Sequence, residues 1–79
     1  MDIRRRVGLN VRRLREQLGY SQEALAFEAG LHRTYISGVE RGIRNPTVLV
    51  LERIAKALEV PVARLLEEAA TPSRKPAKA

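Results

Sequence analysis

The chain has no cysteine in its 79 residues, which excludes a disulfide framework and any thiolate metal site. It has a single histidine, His32, no glycine-rich phosphate loop and no clustered carboxylates. A nucleophile with its base, or a metal site, therefore cannot be assembled from it. No enzymatic activity and no cofactor are expected, and the nearest acidic pair, Glu67 and Glu68, reads as a solvated helix end. Long apolar runs are missing as well. The longest, Val48–Leu51, falls far short of the roughly 20 residues that cross a bilayer, and Arg4–Arg6 have no apolar stretch behind them to make a signal peptide. No membrane partner is expected, and the expected location is the cytoplasm. A chain this short has room for one domain with a small core, so dimerisation is a natural source of added stability.

Lysine is scarce too, with three against twelve arginines, although the net charge is +6 and the isoelectric point near 10.8. Arginine favours geometric contacts with phosphates and bases over diffuse attraction. The charge is unevenly placed. Residues 1–15 carry six arginines against one aspartate, residues 16–30 hold Glu16, Glu23 and Glu28 with no base, residues 31–45 return to positive, and residues 71–79 add three bases. Positive charge thus brackets an acidic segment, and the partner it implies is a polyanion.

The apolar spacing predicts an all-α fold of five helices. Asp2 is placed to cap a first helix with a stripe of Ile3, Val7, Val11, Leu14 and Leu18, ending at Gly19. Ser21 caps a second that runs to Ala29, and Leu31 or His32 starts a third that ends at Gly42. Pro46 and Thr47 signal a fourth, with Val48, Leu51, Ile54, Ala55 and Leu58 facing inward. Pro61 suits the first turn of a short fifth carrying Val62, Leu65 and Leu66. Residues 1–70 form the expected domain. Residues 71–79, with two prolines, three bases and no large apolar side chain, read as a disordered basic tail.

The most informative stretch is SQEALAFEAGLHRTYISGVERG, Ser21–Gly42. Ala26 is small where a second helix must cross, and Gly30 supplies the positive φ of a tight turn. Leu25, Ala29, Leu31, Ile36 and Val39 fall at the inward positions of two helices packed steeply, leaving Arg33, Thr34, Tyr35 and Ser37 on the outer face of the second. This pattern resembles the helix-turn-helix of the Cro/C1/xenobiotic-response-element family of bacterial and phage regulators. Within it, GLHRTYISGVERGIRNP is similar to the controller proteins of restriction-modification systems, and the resemblance covers roughly residues 4–69. It implies a lambda-repressor-like domain that binds double-stranded DNA in the nucleoid.

On that reading Arg33, Thr34 and Ser37 are the expected base readers. Arg33 can donate two hydrogen bonds to guanine O6 and N7, Thr34 offers a hydroxyl and a methyl, and Ser37 bonds either a base or the carbonyl of Arg33. Gln22, at a helix N-terminus, is expected to hold a phosphate, as the matching glutamine commonly does in the family. Tyr35 is expected to combine packing with a backbone contact. Arg41, Arg44 and Asn45 are expected to pass beside the next phosphates, and His32 to cap the reading helix with a phosphate contact. Asn10, Arg12 and Arg13 on the first helix have less certain aim, with Arg13 preferred as a backbone contact. Gly38 stands where many relatives carry a long polar residue, which shifts readout toward DNA shape. The family often pairs an arginine with a glutamate at the positions of Arg15 and Glu40, so these are expected to orient the reading helix.

Leu49, Val50 and Leu66 are expected at a two-fold interface, because helical geometry turns Leu49 and Val50 away from the fourth helix's inner stripe. A homodimer would set two reading helices one DNA turn apart, roughly 34 Å, to match a palindromic operator. RNA polymerase is a further candidate partner. Two other functions use the same features: an antitoxin-type interaction module that also binds its own promoter, and a nonspecific nucleoid coat. A neighbouring gene for a methyltransferase or nuclease, rather than a small toxin, would separate the first reading from the antitoxin.

Overall fold

In a computed structural model, residues 2–68 fold into five helices: α1 (Ile3–Gln17), α2 (Gln22–Ala29), α3 (Arg33–Glu40), α4 (Val48–Ala57) and α5 (Ala63–Leu66). The expected tail, residues 71–79, lies outside these described residues. No described helix is long and apolar enough to cross a membrane.

Three of the five helices start on a side-chain cap. The Asp2 carboxylate accepts from the Arg4 amide at 2.7 Å, the Ser21 hydroxyl from the Ala24 amide at 2.9 Å, and the Thr47 hydroxyl from the Val50 amide at 3.2 Å. Each bond satisfies one of the amides that a helix N-terminus leaves without an intrahelical partner. α2 stops where Gly30 takes a φ of 71°, and the Leu31 amide then donates back to the Ala26 carbonyl at 2.8 Å. That reversal sets α3 steeply across α2.

The core gathers one stripe from every helix: Val7, Val11 and Leu14 of α1, Leu25, Ala26 and Ala29 of α2, Ile36 and Val39 of α3, Leu51, Ile54 and Ala55 of α4 with Leu58 just past it, and Leu65 of α5. α1 lies against the end of α3 so closely that a Cβ on Gly8 would strike the backbone carbonyls of Val39 and Glu40. On the opposite flank of α1, fully buried Asn10 donates through Nδ2 to the carbonyls of Leu65 (2.9 Å) and Glu67 (2.8 Å) and so ties down the end of α5.

Three apolar placements differ from the periodic reading. Ile3, Leu18 and Val48 are exposed rather than inward, Val48 by 75%. All three stand at helix ends, where the 3.6-residue period continues but no facing helix covers the last turn. Val50 departs the other way: it is half-buried and packs against the core instead of standing free. Leu49 at 72% and Leu66 at 41% are exposed.

Candidate nucleic-acid interface

The outward face of α3 carries Arg33 and Thr34, both exposed, at its first turn, with Ser37 half-buried one turn on. The Ser37 hydroxyl makes no hydrogen bond among the described residues; the Arg41 amide bonds its backbone carbonyl at 3.1 Å instead. Tyr35 is half-buried with its ring against the core. The chain after α3 then turns back, because the amides of Ile43 and Arg44 both reach the Gly38 carbonyl, at 2.9 and 3.2 Å.

That fold-back brings Arg44 over α3. Its guanidinium carbon lies 5.5 Å from the centre of the Tyr35 ring, within cation–π range. Its stem covers Gly38, where an added Cβ would come within 2.7 Å of Arg44 Cγ. Gly38 is therefore buried, and the place of the missing long side chain is taken by an arginine from the following loop. No sequence rule joins positions 38 and 44; the signal is visible only once the loop is seen to reverse. Arg41 and Asn45 are exposed at the same end of α3, and Arg5 of α1 joins them unforeseen, with its Cα 3.1 Å from where a Gly42 Cβ would stand.

Beneath this face the Arg15 and Glu40 side chains are only 10% and 4% exposed. Nε of Arg15 donates to Glu40 Oε2 at 2.6 Å and Nη2 to Oε1 at 3.1 Å, while Nη1 reaches the Tyr20 carbonyl at 2.8 Å. The carboxylate's hydrogen bond outweighs the desolvation of the guanidinium and pushes the Arg15 pKa further up, so Arg15 stays charged despite its burial. Gln22 belongs to the same network, its Nε2 donating to Glu40 Oε1 at 3.0 Å. One N–H of that amide is thus committed to the pair, and the remainder of Gln22 stands half-buried at the N-terminus of α2.

Several charges elsewhere are paired: Arg4 with Asp2, Arg6 with Glu68, Arg12 with Glu16 and Arg64 with Glu67. Arg13 and Arg53 are instead engaged by Asn10 and by the Ala29 and Gly30 carbonyls. Arg33, Arg41 and Arg44 form no ion pair among the described residues, which leaves three cations together on α3 and the loop after it.

Arg13 and Asn10 lie away from this face, and His32 stands at its start without the expected capping bond. Arg13 lies on the α5 flank of α1 and donates to Asn10 Oδ1 at 3.3 Å, because the 100° turn per residue sets it on the side of Asn10 rather than of Gly8 and Arg15. Asn10 is buried in the tether to α5, a use that its polar side chain in an exposed-looking register concealed. His32 does occupy the N-cap of α3, but its side chain makes no capping bond; an imidazole ring is too long to turn back on the amides that a serine hydroxyl reaches.

The helix-turn-helix model HTH_3 matches residues 11–65. Control protein C.BamHI of Bacillus amyloliquefaciens is 49% identical over 67 residues, covering 84% of this chain and 83% of that protein. The restriction-modification controller protein C.AhdI from Aeromonas hydrophila superposes with a TM-score of 0.77 at 42% identity, over 78% of this chain and 94% of that one. The biofilm regulator SinR, solved in complex with DNA, superposes with a TM-score of 0.74 at 35% identity, over 77% and 98%. With its motif, its five-helix frame and these relatives in agreement, the chain belongs to the HTH_3 helix-turn-helix family of Cro/C1 type.

Proposed function

We propose that this protein is a sequence-specific DNA-binding transcriptional regulator that acts as a homodimer on a palindromic operator, of the restriction-controller kind. One observation carries the reading: three arginines without an ion pair among the described residues, Arg33, Arg41 and Arg44, stand together on α3 and the loop after it, and that helix is held in place from behind by a buried ion pair. Arg33 and Thr34 enter the major groove, where a guanidinium distinguishes guanine. Arg44 lies over Gly38 at the middle of α3 and meets the DNA beside them. Arg41, Asn45, Gln22 and the free amides of the α2 N-terminus take phosphates and fix register without reading sequence.

The dimer uses the apolar surface that a monomer leaves open: Leu49, Val48 and Leu66 are exposed, and a shallow groove of about 90 Å³ adjoins Leu66, lined by Ile3, Val7, Pro46 and Leu51 with Arg4 and Asn45. Similarity to a control protein and to a restriction-modification controller protein supports a regulatory role in the cytoplasm at the nucleoid, with RNA polymerase as the machinery that a promoter-proximal operator would engage.

Selection of bound duplexes from random DNA tests this reading. A palindrome with half-sites about 10 base pairs apart is expected. Arg33→Ala should then weaken binding to that duplex by roughly 1–3 kcal/mol and relax preference at one base pair per half-site, with little change on random DNA. Recovery of no preferred sequence, or equal weakening on both DNAs, would overturn it.

A further inference from the structure

α2 ends without a cation of its own: its last turn holds no base, and its charged residues, Glu23 and Glu28, are acidic. A helix C-terminus concentrates partial negative charge and carbonyls without intrahelical partners. Here those carbonyls are met from another element. Arg53, in the middle of α4, donates from Nε to the Ala29 carbonyl at 3.1 Å and from Nη2 to the Gly30 carbonyl at 2.7 Å. The guanidinium lies so close along the turn that a Cβ on Gly30 would sit 2.5 Å from Nη2. These are the two residues at which the chain leaves α2 to begin the reversal into α3.

The placement matters because of what α4 touches. It packs chiefly on α2 and α5, whereas α3 packs on α1 and α2. One path from the exposed Leu49 surface of α4 to the reading face of α3 therefore runs through α2 and the turn after it, beside those through α5 and α1 and along the loop that joins α3 to α4. A groove of about 400 Å³ opens between the end of α2 and α4, lined by Phe27, Glu28, Ala29 and Gly30 on one side and Arg53, Lys56 and Ala57 on the other. Across it the forked pair of bonds from Arg53 is a polar link between the two elements.

We infer that Arg53 is a positioning residue that locks the α2–α3 turn to the dimerisation helix and so sets the spacing and orientation of the two reading helices in the dimer. The inference rests on the homodimeric reading above. A planar guanidinium bonding two successive carbonyls constrains direction as well as distance. Loss of that lock leaves each reading helix intact but lets it swing relative to its partner.

The probe is the palindromic duplex selected by the wild-type protein, with a single half-site duplex and palindromes with one base pair inserted or deleted at the two-fold axis. One base pair moves a half-site by about 3.4 Å and turns it by about a tenth of a turn. Arg53→Met keeps an apolar stem along the groove and removes both donors. It should remain folded by circular dichroism, dimeric by sedimentation and unchanged in half-site affinity. Its discrimination between the native and the altered spacings should fall about tenfold, equivalent to about 1.4 kcal/mol. Arg53→Lys, able to reach one carbonyl, should recover part of that discrimination, and it carries the test alone if the methionine variant does not fold. Unaltered discrimination in both folded variants, or an equal loss on half-site and full palindrome, would overturn the inference. A wild-type protein that selects no palindrome would overturn the dimeric reading itself, which is a different outcome.

Discussion

Glu40→Ala probes the support beneath the reading face. The substitution strands Arg15, whose side chain is only 10% exposed, and leaves Nε, Nη2 and the Gln22 amide without their acceptor. Removing one partner of a buried pair typically costs 3–5 kcal/mol, because an uncompensated charge stays behind. The pair here is close to the surface and Arg15 keeps its bond to the Tyr20 carbonyl, so about 3 kcal/mol is the better figure. For a domain of this size each kcal/mol moves the melting point by about 4–8 °C, which gives a fall of roughly 12–24 °C. That is a large share of the 5–15 kcal/mol of a typical domain. The double variant Arg15→Met, Glu40→Leu removes both charges together and should be more stable than Glu40→Ala, since no ion is left unpaired. Thermal melts of the wild type, Arg15→Met, Glu40→Leu and the double variant form a complete cycle. The wild-type melt should also be nearly insensitive to added salt as far as this pair is concerned, because screening acts weakly on buried charges. A melting point for Glu40→Ala within about 4 °C of wild type, or a double variant no better than the sum of the singles, would refute the argument that this pair holds α3 in place.

Three further outcomes follow from the geometry. Gly38→Ala gains up to about 1 kcal/mol of helix propensity, but its Cβ would stand 2.7 Å from Arg44 Cγ and forces that stem to move, so its stability should be no higher than that of wild type. It should displace Arg44 from its place over α3 and lower operator affinity as Arg44→Ala does; full affinity in a titration would show that Arg44 acts from elsewhere. Leu49→Glu with Leu66→Lys should dissociate the dimer in sedimentation while leaving the melting curve of the monomer cooperative, and a persistent dimer would move the interface elsewhere; Val50, being packed on the core, is unsuited to this test. Finally, the Asp2 carboxyl is held down from 3.8 to about 2, first by its side-chain bond to Arg4 and then by the Arg4 amide. A depressed pKa means that the cap is fully formed above pH 3.8 and lost as pH falls through about 2, so an Asp2 carboxyl titrating by NMR at its ordinary value would show the cap to be absent in solution.

What could be read from the sequence and what could not divide along one physical line. Periodicity and caps are local, and they located all five helices, the Gly30 turn and most of the core, because a residue's neighbours at i+3 and i+4 are known without a structure. The same rule overreached at Ile3, Leu18 and Val48, where the period persists beyond the neighbouring helix that would give it meaning. Polar side chains were harder, since a buried asparagine and a DNA-facing one look alike until the acceptors are known. Asn10 finds its acceptors 55 and 57 residues away, on α5 and just beyond it. Arg53 finds its own 24 and 23 residues back, at the end of α2.

The same division explains the reading face. Arg33 and Thr34 are exposed at the start of α3 for reasons of helical phase alone, which the sequence contains. Arg44 is over Gly38 because two amides of the following loop converge on one carbonyl, and nothing in the spacing of six residues specifies that reversal. A glycine at the centre of a reading helix is therefore not a gap in the surface. Its missing side chain is the space that a more distant arginine occupies, so the chemistry offered at that point depends on positions 38 and 44 together, and substitution at either one changes both.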